Sequence, residues 1–442
     1  MKKIIVFVLL VSPSLVFAQG IFKKLEKTVK QTTEERVLNK AEKEVNKAFD
    51  GAEDKKQPAK TQSQTPAPTT TETPRETPRE IPNDEVRRDT PTALTAYSKY
   101  DFVPGERIIY AEDFSQDEIG ELPLNWNTGG KAELVTLNAF PGNWLRLYQN
   151  ALYLTSNKDT FSKNFTVEFD LILQLPEPNG YSYPQLALGF LSSHDMASND
   201  NALLEKPNMF QSALVQIRPS VNGTSSAYIE TSFEYKRHFL SETQNLAAIE
   251  KYYHKVSHIA MQVQGKRFRV WINGEKKFDL PMALADYYKY NQLFFKVFSS
   301  SHKDDKLGIY IGNLKVATGK ADTRHKLVEE GKFSTTGILF DVNAATIKPE
   351  SAGVLKDISD VLKKSPDIKV KIVGHTDSDG QDATNLTLSQ KRAAAVKQAL
   401  ASEYGIEETR IETDGKGEKE PVGDNKTKEG KAQNRRVEFI KV

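Results

Sequence analysis

The stretch KVKIVGHTDSDGQDATNLTLSQKRAAAVKQALASE, Lys369 to Glu403, changes character halfway along. Lys369-Val370-Lys371-Ile372-Val373-Gly374 reads as a strand that delivers His375-Thr376-Asp377 to its end, and a helix follows from about Asn385 to Glu403. Upstream, Ile338-Leu339-Phe340-Asp341 reads as a short strand. Pro349-Glu350 then opens a helix in which Val354, Leu355, Ile358, Val361 and Leu362 recur at helical spacing, until Ser365-Pro366 stops it. Downstream, Arg410-Ile411-Glu412-Thr413 and Arg436-Val437-Glu438-Phe439-Ile440 supply further strands. Strands alternating with helices specify a small α/β module with its helices packed on a sheet, over residues 330–442.

Ahead of this module the texture is all β. Phe165-Thr166-Val167-Glu168-Phe169-Asp170-Leu171 alternates strictly, the mark of a half-buried strand. His258 to Val263 and Phe268 to Ile272 flank a short turn, and Asn273-Gly274 closes the second strand with a tight-turn dipeptide. Many short strands without intervening helices predict a sandwich or barrel. A membrane barrel is the rival reading, but several strands fall short of the ~10 residues a span needs, and Ser192 to Asn208 is a long polar insertion. The reading is therefore a soluble all-β jelly-roll sandwich over residues 96–320. Asp113-Phe114, Leu122-Pro123-Leu124-Asn125-Trp126 and Val270-Trp271-Ile272-Asn273-Gly274-Glu275 give it a loose similarity to concanavalin and laminin-G-like sandwiches, which implies a glycan as a candidate ligand there. The hydrolases of that fold use Glu-x-Asp-x-x-Glu on one strand. Here Glu168 and Asp170 fill two places and Leu173 stands in the third, so the acid/base set is one carboxylate short.

The N-terminal end divides into three. Lys2 and Lys3, an apolar run from Ile4 to Val11, and Val16-Phe17-Ala18 form the layout of a cleavable secretory signal over residues 1–18. Its apolar core is shorter than the ~20 residues of a membrane span. Residues 19–50 read as an amphipathic helix, with Phe22, Leu25 and Val29, then Val37, Ala41, Val45 and Phe49, at three- and four-residue steps. Nothing adjacent in sequence buries these clusters, so they suit self-association or another envelope protein. Residues 51–95 form a disordered Pro/Thr-rich linker; between Lys55 and Pro91 there are seven Pro, eight Thr and no aromatic residue.

Composition narrows the chemistry. Sixty-one basic against 59 acidic residues leave a net charge of +2, which provides no electrostatic footprint for nucleic acid. The absence of cysteine excludes disulfides, thiolate metal sites, cysteine nucleophiles and lipidation through cysteine. Asp377-Ser378-Asp379-Gly380 imitates the start of a calcium loop, but Leu388 occupies the place of its bidentate Glu. Neither a metal nor a cofactor is expected.

Asp377 and Arg392 stand out as a chemical pair. A carboxylate accepts from an ammonium while a guanidinium forks onto a carboxylate, so together they can grip a zwitterion. Taken alone the pair reads as an ordinary surface ion pair. Its setting is more specific. Phe340-Asp341-Val342-Asn343, Gly374-His375-Thr376-Asp377-x-x-Gly380, Asn385-x-x-Leu388-Ser389-x-x-Arg392-Ala393, Gly415-x-Gly417-Glu418-x-x-Pro421 and Asn434-Arg435-Arg436-Val437-Glu438 follow in order over about 100 residues. They closely resemble the OmpA C-terminal-like family, shared with peptidoglycan-associated lipoproteins and flagellar stator proteins. The resemblance implies non-covalent binding of the diaminopimelate stem peptide of peptidoglycan, with Asp377 and Arg392 as the grip and Thr376, Asn343, Asn385 and Arg435 in supporting positions. Thr384 departs from the Tyr or Leu usual before the Asn, which touches one wall of the pocket.

The expectation is a non-enzymatic protein of a Gram-negative envelope, periplasmic and associated with the outer membrane. It would dock on peptidoglycan through residues 330–442 and present the sandwich as a binding surface. Two alternatives stay open at this point: a glycan-active enzyme tethered to the wall, and an integral outer-membrane barrel.

Overall fold

The computed structural model describes residues 101–442, apart from 157–158, 195, 206–209, 234–235, 286–288 and 321. The secretory signal, the amphipathic helix and the Pro/Thr-rich linker lie outside the described residues.

Sixteen strands build two antiparallel sheets. The first runs β14 (Glu275–Leu280), β13 (Arg267–Ile272), β12 (Val256–Gln264), β6 (Asn164–Gln174), β16 (Gly308–Thr318), β4 (Phe140–Leu147) and β3 (Ala132–Leu137), with β1 (Arg107–Glu112) also paired to β16. The second runs β10 (Lys236–Leu240), β9 (Ser226–Phe233), β8 (Gln211–Arg218), β7 (Leu186–Ser192), β15 (Gln292–Val297), β5 (Ala151–Thr155) and β2 (Trp126–Thr128), with β11 (Gln244–Asn245) on β9. Alternation makes this packing: Phe165, Val167, Phe169, Leu171 and Leu173 of β6 face the same core as Leu293, Phe295 and Val297 of β15. Phe169 meets Phe295 edge-on at 5.2 Å, and Phe165 meets Phe190 at 5.0 Å. The two sheets stay separate and enclose a side-chain core, so the barrel alternative is overturned. Among the described residues no helix is long and apolar enough to cross a membrane.

The C-terminal module is a four-stranded sheet in the order β17 (Lys332–Thr335), β20 (Val437–Lys441), β18 (Val370–His375) and β19 (Ile411–Gly417), parallel only between β18 and β19. Helices α1 (Ala352–Lys364) and α2 (Asp382–Ser402) pack on it, and a third, α3 (Lys428–Asn434), precedes β20. Three expectations change here. The strand expected at Ile338 to Asp341 is a single bridge, Phe340 to Ile347, because Ser351 Oγ and the Lys348 N–H satisfy the backbone of Leu339 instead of a neighbouring strand. The helix expected from Asn385 starts three residues earlier, and α3 has no counterpart in the sequence reading.

The largest departure concerns β6. Its alternation predicts one wet face, yet Thr166, Glu168 and Asp170 are only 3%, 4% and 6% exposed. The segment 101–106 covers that outer face. Phe102 packs edge-on against Trp271 at 5.2 Å, the Gly105 N–H donates to Thr166 Oγ1, and Trp271 Nε1 donates to Asp101. The module then closes over this segment: a Cβ on Gly353 at the start of α1 would stand 2.2 Å from the Phe102 carbonyl oxygen. A further tie holds β1, whose outward N–H groups at Ile108 and Ala111 donate to Gln433 and Glu429 of α3. A helix thus caps a strand edge that would otherwise be open to another chain.

Burial of that face encloses charge. His258 Nδ1 lies 3.0 Å from Asp170 Oδ1 and Nε2 lies 3.4 Å from Glu168 Oε2. Lys315 Nζ approaches Glu168 at 3.6 Å, and Asn313 Nδ2 donates to Asp170 Oδ2 at 2.8 Å. Burial alone would raise both carboxyls. Lys315 and His258 outweigh it at Glu168, and His258 with Asn313 does so at Asp170, leaving both below their usual range. Burial would likewise depress His258, but Asp170 and Glu168 push it up to about 9.

The folded value of His258 lies above the ordinary 6.5, so its stabilising charge is fully present below pH 6.5 and is lost as pH rises through about 9. The two carboxylates act oppositely and lose their contribution only in acid. The melting temperature should therefore fall between pH 7 and 10, and fall less steeply in His258→Gln. That variant should be about 3–5 kcal/mol less stable at pH 6, because it strands buried carboxylates. Parallel pH profiles for the two proteins would reject a charged imidazolium.

Candidate functional site

The candidate site lies where β18 runs out against α2. Three glycines permit it: a Cβ on Gly374 would meet the Ser389 carbonyl oxygen at 2.2 Å, on Gly415 the Gln390 nitrogen at 2.4 Å, and on Gly417 the Leu386 nitrogen at 2.9 Å. The helix therefore lies directly on the strand ends. Asn385, Ser389 and Arg392, spaced by four and three, share the face that meets them. Ser389 Oγ accepts from the Gly417 N–H and donates to Leu386 O, locking the contact.

From this frame the strand end presents Thr376 and Asp377, both nearly buried. The Thr376 N–H donates to Gly417 O at 2.9 Å, while its hydroxyl has no hydrogen-bond partner among the described residues. Asn385 Nδ2 donates to the backbone oxygens of Asp377 and Asp379 and to Glu418 Oε2, which fixes the loop's curvature. Behind the strand, Arg436, Lys332 and His375 surround Glu438. Despite burial they hold its carboxyl far below the usual carboxylate range.

Arg392 sits about three turns into α2, deeper in the helix than a position near its start. Its Nε donates to Ala344 O at 3.0 Å, and its guanidinium lies 4.9 Å above the Phe340 ring. Burial lowers its pKa, Asp377 acts in the opposite sense, and Arg435 adds to the lowering. The Asp377 carboxylate is engaged by Arg435 rather than by Arg392. Arg435 follows α3 directly, and its side chain is 40% exposed. Asn343 is exposed, with φ of 55°, in the turn that carries Ala344. All six residues singled out in the sequence line one cleft or its lip: Asp377, Arg392, Thr376, Asn343, Asn385 and Arg435.

Chemically this is one cleft that holds a carboxylate and two guanidiniums, with a hydroxyl and an amide beside them. Such a site offers an acceptor for an ammonium and forked donors for a carboxylate at once. The sequence reading missed the shelf role of Phe340 and the bracing by Glu418, although both lie inside the motifs it used. It also had no signal for the opposite wall of the cleft, where Asp113, Asn313 and Lys315 come from the sandwich.

Residues 339–435 match the family model described as "OmpA family". The outer membrane porin F of Pseudomonas aeruginosa is 45% identical over 101 residues, 23% of this chain and 29% of that protein. The peptidoglycan-binding protein ArfA of Mycobacterium bovis is 38% identical over 103 residues, 23% of this chain and 31% of that protein. This chain therefore spans about three tenths of the length of these two relatives. Among solved structures, the peptidoglycan-associated lipoprotein of Burkholderia pseudomallei is 31% identical, covering 25% of this chain and 89% of that one, with a TM-score of 0.23.

The glycine contacts carry a testable consequence. Gly374→Val should push α2 off β18 and displace Asn385 and Arg392, at a cost of about 1–3 kcal/mol from overpacking. Unchanged thermal stability in that variant would show that the helix does not rest on the strand. By sequence, residues 339–435 of this chain match the OmpA family.

Proposed function

We propose that this protein anchors to the cell wall by binding peptidoglycan non-covalently, with Asp377 and Arg392 gripping the diaminopimelate head group of a stem peptide. The observation that carries the reading is one cleft lined by the Asp377 carboxylate, paired with Arg435, and by the Arg392 guanidinium. It complements a group bearing an ammonium and a carboxylate on one carbon. The similarity to ArfA, a peptidoglycan-binding protein, supports the same ligand class. Thr376, Asn343, Asn385 and Arg435 are the supporting contacts. In the ligand-free state Arg435 occupies Asp377 and keeps the nearly buried carboxylate compensated until an ammonium arrives.

The secretory signal read in residues 1–18 and the outer membrane porin among its relatives support a site in a Gram-negative envelope, in the periplasm beside the outer membrane. The sandwich is a binding domain rather than an enzyme in this reading. Glu168 and Asp170, the two carboxylates that fit a hydrolase pattern, are spent on His258, Lys315 and Asn313 under the covering segment. A general acid needs a proton to give near neutral pH, and both groups are held ionised.

Asp377→Ala or Arg392→Ala in the full chain should abolish co-sedimentation with purified peptidoglycan. Each leaves a charge of the zwitterion without its counterpart, at a cost of about 2–5 kcal/mol. Retained co-sedimentation by both variants, with melting temperatures intact, would sink the assignment. The wild-type chain should release no glycan fragments from envelope polysaccharides; release that disappears in Asp170→Asn would restore the enzyme reading.

A further inference from the structure

The cleft that holds Asp377, Arg392 and Arg435 has two walls. The module forms one, and the outer face of the first sheet forms the other, around a volume of about 640 Å³. That is within the range of roughly 300–1,000 Å³ that takes a multi-group ligand, and it exceeds what one amino-acid head group fills. The space beyond the grip is bounded by Asn313 and Lys315 of β16 and Asp113 after β1.

The sheet is built to present Asn313 there. The pairing of β16 with β6 shifts register between Gly312 and Lys315, a bulge that breaks the inward–outward alternation. Asn313 takes φ of 52° at this point and stands exposed between the buried Gly312 and Leu314. Its Nδ2 is committed to Asp170 Oδ2, so the amide is oriented and its Oδ1 remains an acceptor. Asp170 in turn is pinned by the buried His258. Two residues on, Lys315 reaches Glu168 at 3.6 Å, with a side chain 19% exposed and ammonium donors left over. An oriented amide oxygen accepts from a peptide N–H, and an ammonium donates to a carbonyl or carboxylate. The sandwich wall therefore has the chemistry of a peptide-backbone subsite.

We infer that Asn313 and Lys315 are specificity-determining residues, contacting the peptide units that flank the zwitterion held by Asp377 and Arg392. This rests on the wall-binding reading above. It makes the sandwich a part of the ligand site rather than a separate body joined to it. A ligand consisting of the head group alone would leave this wall untouched, whereas a longer stem peptide would engage both.

Calorimetric titration of the full chain with free meso-diaminopimelate and with a diaminopimelate-containing stem tetrapeptide separates the two contacts. Asn313→Gly removes the amide while tolerating the positive φ, and Lys315→Gln removes the charge at similar length. Each should weaken tetrapeptide binding about 5–20-fold and leave free diaminopimelate within about twofold. If both variants bind both ligands like the wild type, or weaken for both alike, the sandwich wall sets no specificity and the inference falls while the grip stands. If the wild-type chain binds neither ligand, the wall-binding reading itself fails and takes this inference with it. Melting temperatures near the wild-type value confirm that the comparison is between folded proteins, and Asn313→Gly alone suffices should Lys315→Gln unfold.

Discussion

Everything in the described structure is arranged around a face of β6 that carries two carboxylates and is nonetheless removed from water. Burying an ionised carboxylate without compensation costs several kcal/mol, so Glu168 and Asp170 constrain what can cover them. His258 reaches both and Lys315 reaches the first, so two negative charges meet two positive ones in the same layer. With that balance met, the segment 101–106 can lie flat over the sheet and the module can close on it. Phe102 between Trp271 and the start of α1 then adds apolar contact that an open polar face would not offer.

The same constraint explains why the sandwich and the module share a cleft. Helix α3 is held at the sandwich by Lys428, which pairs with Glu112 and Asp117 at 2.6 Å, and by Glu429 and Gln433 on the edge of β1. Arg435, which engages Asp377, follows this helix directly. The side chain that engages Asp377 is thus positioned by an element whose other end is anchored to a different sheet. The register shift in β16 turns Asn313 toward the same space, so both walls are set by backbone features rather than by flexible side chains.

The site illustrates which signals survive in a linear sequence. Asp377, Asn385 and Arg392 were legible because they are local: a strand end, a loop and one face of a helix within sixteen residues. Glycine spacing was visible too, although its reason, the direct seating of α2 on β18 and β19, belongs to the tertiary fold. Arg435 could be placed by its motif, but its engagement of Asp377, 58 positions away, could not. The strand expected at Ile338 to Asp341 failed for a comparable reason. Four residues of the right composition cannot reveal that Ser351 and Lys348 will take their backbone groups.

By itself the sequence determined the periodic features, a two-layer β domain from alternation and an α/β module from the switch between periods, and its local motifs marked Asp377 and Arg392 as candidate site residues. Periodicity and local motifs are encoded within a few turns or strand lengths, so they can be read before folding is known. Only the tertiary structure decided that the outer face of β6 is covered, that Glu168 and Asp170 are neutralised by His258 and Lys315, and that Asn313 lines the same cleft as Arg392. Those outcomes depend on which surfaces meet between segments more than 300 residues apart. Alternation tells which side chains share a face; it does not tell whether water or another part of the chain lies against it.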